Sequence, residues 1–187
     1  MIVGVGALLG VSAFSSESAF SAMFEATSTR VYAYARRHAD VDVAPDVVGE
    51  GYLIAWQRRR VLPDEPLPWL LVTARNVLHR YWRNRSKQQR LATELAGIEA
   101  MAATSEASVE DRIALAEAFA RLSDVDRETL LLVGWDGLTP QQAAEVLGCS
   151  PNTFAARLSR ARRRLSTHAS DRTPLRLVAL PAGVDHV

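Results

Sequence analysis

The 187-residue chain has a single cysteine, Cys149, and a single lysine, Lys87. One thiol excludes an internal disulfide and a cysteine-rich zinc site; its expected role is that of a small apolar residue in a turn. The four histidines, at positions 38, 79, 168 and 186, have no ligand spacing, so no metal is expected. There is no Gly-rich phosphate loop, no nucleophile elbow and no paired His/Asp arrangement. The expectation is a protein that is not an enzyme and has neither a cofactor nor a small-molecule substrate. Long hydrophobic runs are also missing. Met1 to Phe14 is apolar but too short to span a bilayer and lacks the basic flank of a signal peptide, so residues 1–17 read as a loose extension, with no membrane insertion. Excess charge is absent as well. The net value is +1, which does not announce a nucleic-acid partner, but the distribution does: positive charge gathers before residue 91 and after residue 156, and no acidic residue occurs from Pro151 to Ala169.

Within that last cluster, LTPQQAAEVLGCSPNTFAARLSRARRRL, Leu138 to Leu165, spells two short helices with a tight turn between them. Thr139 can cap the first helix, Pro140 fits its first position, and Gln142 can bond back to complete a capping box. Gly148 stops the helix, because glycine tolerates the left-handed conformation found just past a helix end. Ser150 and Pro151 repeat the cap-plus-proline start. A helix, a short Gly-containing turn and a second helix make a helix-turn-helix. At about 100° per residue, Phe154, Leu158, Ala161 and Leu165 share an inward face. Asn152, Ala156, Ser159, Arg160 and Arg163 lie opposite, flanked by Arg157, Arg162 and Arg164. A basic helix with small polar residues on its outer face suits the major groove, where arginines pair with phosphates or read guanine edges.

Upstream, hydrophobic residues make up 48% of the chain, enough to bury cores. The periodicity predicts a helix from Ser18 to His38, a break at Asp40 to Pro45, and a second helix from Pro45 to about Arg60 with Val48, Tyr52, Ala55 and Trp56 inward. Val61 to Pro68 holds three prolines and reads as a loop. A third helix runs from Leu67 or Trp69 to about Lys87, with Leu70, Ala74, Val77, Leu78 and Tyr81 as its apolar stripe. Opposite that stripe lie Trp69, Asn76, Arg80, Arg83 and Lys87. An aromatic ring, an amide and three cations on one face suit a nucleic-acid strand. Gln88 to Ser108 is rich in Ala, Glu and Ser and reads as a linker with some helical tendency. Helices are predicted from Val109 to Leu122 and from Asp124 to Trp135, the latter capped by Ser123. His168 to Val187 reads as a tail or short docking segment. The fold class is all-α: two small helical domains joined by a flexible linker, the second with the helix-turn-helix. The divisions are 1–17, 18–90, 91–108, 109–168 and 169–187.

This arrangement resembles a bacterial sigma factor of the extracytoplasmic-function (ECF) class over about residues 18 to 168. The family's D-A-E-D-L-V-Q-E-T-F-L-x-A-W is similar to VAPDVVGEGYLIAW, Val43 to Trp56. Its W-L-x-x-I-A-x-N is similar to WLLVTARN, Trp69 to Asn76. Its L-S-x-x-E-I-A-x-x-L-G-x-x-x-G-T-V-K-S-R-L-x-R-A-R is similar to LTPQQAAEVLGCSPNTFAARLSRAR, Leu138 to Arg162. The resemblance implies a subunit that binds core RNA polymerase, directs it to promoters and promotes strand opening. It implies polymerase contacts (β′ clamp helices and β flap) with Asp46, Val47, Glu50, Leu53, Trp56 and Gln57 on the first module. It implies −10 contacts at Trp69, Arg75, Asn76, Arg80, Arg83 and Lys87, with the Val61 to Pro68 loop helping to hold a flipped base. It implies −35 contacts at Thr139, Asn152, Thr153, Arg157, Ser159, Arg160, Arg163 and Arg164. An anti-sigma factor and a cytoplasmic location, nucleoid-associated when bound to polymerase, are implied too. Pro45 and Gly49 depart from the family's acid and glutamine, and Ala155 and Ala156 remove two polar −35 contacts. The competing reading is a one-component helix-turn-helix regulator whose N-terminal helices sense a ligand or dimerise. Against it stand the basic face of the first module and the lack of a long dimerisation helix.

Overall fold

The computed structural model describes residues 13–83, 87–102 and 108–168. All regular structure among them is helical, as expected: α1 (Glu17–His38), α2 (Ala44–Gln57), α3 (Pro66–Trp82), α4 (Lys87–Ala102), α5 (Val109–Ala120), α6 (Asp124–Gly134), α7 (Pro140–Leu147) and α8 (Pro151–His168). The N-terminal extension and the tail after His168 lie outside the described residues.

Local chemistry sets the ends. Ser16, Ser108 and Ser123 each accept a hydrogen bond from a backbone N–H three residues on, which satisfies a donor that the first helical turn leaves unpaired. The Thr139–Gln142 capping box forms in both directions, and Gly148 closes α7 with φ of 63°, as the sequence pattern requires. Ser150 Oγ accepts from Thr153 N at 3.2 Å to start α8. The three-proline loop is shorter than expected. Pro66 and Pro68 belong to the first turn of α3, where proline's missing N–H has no intrahelical partner to lose.

Two inward faces also differ from the periodicity reading. In α2 the buried set is Ala44, Val47, Gly51, Tyr52 and Ala55, while Val48 and Trp56 are only partly covered. Two glycines and two alanines leave little apolar contrast around this helix, so apolar periodicity does not mark its inward face. In α3 the buried stripe is wider, taking in Leu71 and Trp82 and leaving Tyr81 at the margin. Trp82 is buried because its indole N–H donates to the His38 carbonyl at 2.7 Å.

Helices α1, α2 and α3 pack together, α6, α7 and α8 form a second group, and the groups are not separate. Helix α3 packs on α7, α4 packs on both α1 and α5, and the buried apolar side chains form one connected cluster from Met23 to Leu165. Polar contacts reinforce the junction. Arg37 of α1 forks onto Asp136, just after α6, with Nη1 to Oδ1 at 3.0 Å and Nη2 to Oδ2 at 2.6 Å. The two side chains are 0% and 5% exposed.

Residues 91–102, read from composition as the start of a linker with helical tendency, make up most of α4. This helix lies against α1 so closely that a Cβ at Gly97 would sit 2.8 Å from Arg37 Cα. Glu94, three residues earlier, is reached by Arg127 of α6 at 3.2 Å and by His38 at 3.4 Å. The sign of a Gly97→Ala change therefore distinguishes a docked helix from a tether. In a free helix alanine adds about 0.5–1 kcal/mol of stability. Here the clash is with backbone, so Gly97→Ala should lower the urea midpoint of the full chain. A raised midpoint would mean that α4 does not rest on α1.

Candidate nucleic-acid and partner interfaces

On α8 the sequence-derived faces are reproduced. Phe154, Leu158, Ala161 and Leu165 are buried, and Asn152, Thr153, Ser159, Arg160 and Arg163 are exposed on the other side. Arg157 is half-buried at the edge. Thr139 is exposed at the start of α7. Arg164 differs from its neighbours, because its guanidinium pairs with the buried carboxylate of Asp126 on α6. It helps to dock α8 while half of its side chain stays in solvent.

On α3, Asn76, Arg80 and Arg83 are exposed along one line, at the i, i+4, i+7 spacing of a single helix face. Arg80 reaches across to Glu50 on α2, so the α3 face and the outer face of α2 adjoin. Trp69 is half-buried against the core rather than fully displayed. Lys87 opens α4. Arg75 is turned away from the solvent line. Its Nε donates to Glu128 Oε1 at 2.9 Å and its Nη2 to Oε2 at 3.4 Å, while the Tyr34 hydroxyl donates to Oε1 at 3.1 Å.

On α2, Asp46, Glu50, Leu53 and Gln57 are exposed, and Leu53 presents an apolar side chain to solvent. Trp56 is half-buried, edge-on to Phe20 and beneath the Arg59 guanidinium at 4.1 Å. Val47, placed among the polymerase-facing residues by the family pattern, is 2% exposed and faces the core. It can shape that surface only from beneath.

Pattern reasoning missed the carboxylates that hold these arginines. Glu50, Asp126 and Glu128 lie 30 to 53 residues from their partners, beyond any helical spacing that a sequence displays. Between the modules, Tyr34, His38, Arg75, Arg90, Glu94 and Glu128 line a cleft of about 220 Å³. Its charges already satisfy one another. Burial alone would raise the pKa of Glu128, but His38 and then Arg75, by charge, and the bonds from Arg75 and Tyr34 bring it below the usual carboxylate range. Glu94 behaves alike: burial raises it, and His38, Arg127 and Arg90 together lower it further. Among the described residues, no group of three His, Cys, Asp or Glu side chains is placed to hold a metal, and no helix is long and apolar enough to cross a membrane.

The geometry defines a helix-turn-helix protein built from two helical modules, each carrying an exposed basic face. Comparison with known proteins narrows this class. Residues 23–88 match the model of Sigma-70 region 2, and residues 112–165 match that of Sigma-70, region 4. The ECF RNA polymerase sigma factor SigL of Mycobacterium tuberculosis is 31% identical over 150 residues, covering 77% of this chain and 85% of SigL. The "Probable RNA polymerase sigma factor RfaY" of Xanthomonas campestris pv. campestris is 38% identical over 133 residues, which is 66% of this chain but only 33% of RfaY. The sigma factor RpoE of Bartonella quintana, solved in complex with the anti-sigma factor NepR, superposes with a TM-score of 0.60 at 24% identity, covering 82% of this chain and 98% of that one. The chain belongs to the ECF RNA polymerase sigma factors. Sigma factors are transcription-initiation factors, not enzymes.

The lowered pKa values have a definite sign. A carboxylate whose folded pKa lies below its unfolded value stabilises the fold above the unfolded value, and that contribution is lost as pH falls through the folded one. The contribution of Glu94 and Glu128 to stability should thus be fully present at neutral pH and decline below the ordinary carboxylate range. Glu128→Gln should flatten that acid limb. Urea midpoints measured across pH check this; an unchanged acid limb in Glu128→Gln would show that Glu128 does not titrate with folding.

Proposed function

We propose that the two basic faces divide promoter recognition between them and that α2 carries the polymerase contact. In this reading residues 18–90 form the module that binds core polymerase and the −10 element, residues 109–168 form the module that binds the −35 element, and residues 91–108 connect them. Asp46, Glu50, Leu53 and Gln57 offer core polymerase an acidic and apolar surface, with Trp56 at its edge and Val47 beneath. Asn76, Arg80 and Arg83, together with Trp69, Lys87 and the Val61–Glu65 turn, hold the opened −10 strand. Asn152, Thr153, Arg157, Ser159, Arg160 and Arg163 dock in the −35 major groove, with Thr139 at the edge. The observation that carries the reading is the Asn76–Arg80–Arg83 line: a regulator that reads only double-stranded DNA has no use for a second basic face on another module. Absence of catalysis, a cytoplasmic location with nucleoid association in the polymerase-bound state, and an anti-sigma partner belong to the same proposal. The partner is supported by the likeness to a sigma factor solved with NepR.

Reconstitution with core polymerase, followed by sequencing of transcript starts, supplies a promoter on which to test this. There Asn76→Ala should leave the closed complex nearly intact and reduce strand opening, read by permanganate footprinting. Opening equal to wild type would refute the role of α3. On the second module, Arg160→Ala should weaken promoter binding by ~1–3 kcal/mol if the side chain reads a base. A loss of equal size on unrelated duplex DNA would assign it to phosphate instead.

A further inference from the structure

The outward face of α8 has a bare spot at its centre. Counting about 100° per residue from the buried stripe of Phe154, Leu158, Ala161 and Leu165, Ala156 lies almost diametrically opposite the core. It is exposed, so the part of the helix that stands furthest from the body of the protein ends in a methyl group. One turn earlier is Asn152 and one turn later is Arg160, both exposed and both rich in hydrogen-bonding groups. Thr153, three residues before, is committed to the helix cap. Its N–H donates to Ser150 Oγ at 3.2 Å, and its hydroxyl shares a hydrogen bond with the same oxygen at 2.8 Å. Ser159, three residues after, is too short to cover its neighbour. The family motif carries a serine where this chain has Ala156, so the methyl is a feature of this chain.

We infer that Ala156 is a specificity-determining residue, which packs its methyl against the C5-methyl of a thymine in the −35 element. The inference rests on the proposed docking of α8 in the major groove. There each base edge offers donors and acceptors, and thymine alone adds an apolar group. A purine N7 or a cytosine amino group pressed beneath Ala156 would lose its water and gain no partner. A thymine methyl in the same place is removed from water favourably. The neighbours keep this contact on a base rather than on the backbone. Asn152 and Arg160, one turn to either side, have the side chains that pair with adenine and guanine edges, and the first turns of a recognition helix are those that reach base edges. A serine hydroxyl at this position could bond to more than one base, so alanine narrows the choice.

The test uses the full chain assembled with core polymerase and a promoter duplex found by transcript-start sequencing. Each thymine of the −35 element, on either strand, is replaced in turn by deoxyuridine, which removes the C5-methyl and leaves base pairing intact. At fixed salt, one replacement should weaken holoenzyme binding about 3- to 5-fold, the effect of one buried methyl, and the others by less than about 1.5-fold. Ala156→Gly should bind the thymine and deoxyuridine duplexes equally well. Ala156→Ser, which keeps the β-carbon, should tolerate cytosine at that position better than the parent does. A −35 element without thymine on either strand, or indifference of the parent to every replacement, would overturn the inference. Full methyl sensitivity retained in Ala156→Gly would assign the contact to another side chain and overturn it too. Arg160→Ala, measured in parallel, separates the two levels. If it weakens promoter binding while the replacements do nothing, only the role of Ala156 fails; if both are silent, the docking of α8 fails with it.

Discussion

The buried pairing of Arg37 with Asp136 is the constraint on which the arrangement of the two modules depends. A guanidinium removed from water is tolerated only when its charge is met, and here the partner comes from the other half of the chain, 99 residues away, and takes both terminal nitrogens while the buried Nε has no hydrogen-bond partner. Removing either side chain alone would strand a buried charge, at a cost of about 3–5 kcal/mol. Burial favours the neutral guanidine, but the adjacent Asp136 carboxylate and its hydrogen bonds more than compensate, and the Arg37 pKa rises. The pair contributes modestly to net stability and strongly to geometry, because it fixes where α6 sits against α1. The contacts between Arg75 and Glu128, Tyr34 and Glu128, and Arg127 and Glu94 then follow from that placement.

Three of the arginines read as DNA contacts, Arg75, Arg80 and Arg164, are likewise held by carboxylates. With almost no lysine, the chain uses one residue type both for solvent-facing charge and for internal recognition of carboxylates. The planar fork of arginine serves carboxylate and phosphate equally well. Arg160 and Arg163 remain on the open face of α8, Arg164 is shared with Asp126, and Arg75 is shared with Glu128. The surface charge available to nucleic acid is thus set by which carboxylates the packing brings near, and less by the number of arginines on a helix.

What was legible in the sequence was local. The caps at Thr139 and Ser123, the stop at Gly148 and the four-residue inward stripe of α8 all lie within one or two helical turns, and each appears where the pattern placed it. The outward line of Asn76, Arg80 and Arg83 was legible for the same reason. The orientation of α2 was not, because Gly51 and Ala55 mark its core side by being small, and apolar periodicity does not register smallness. The docking of α4 escaped notice because Ala and Glu give it little contrast and its anchoring partners, His38 and Arg127, lie on other helices. The engagement of Arg75 was out of reach, since nothing near it in sequence announces Glu128.

The close approach at Gly97 has a further consequence, in the currency of helical phase. A docked helix counts residues: each position added or removed turns everything beyond it by about 100° relative to everything before. Glu94 and Gly97 are three apart, so the carboxylate that meets His38 and Arg127 and the bare patch that admits the α1 backbone are fixed to each other as teeth on one gear. A single-residue insertion between them would leave composition, charge and helicity almost unchanged, yet would turn one contact away whenever the other formed. The segment between the modules thus carries positional information. Its length sets the angle at which the second half of the molecule is presented to the first.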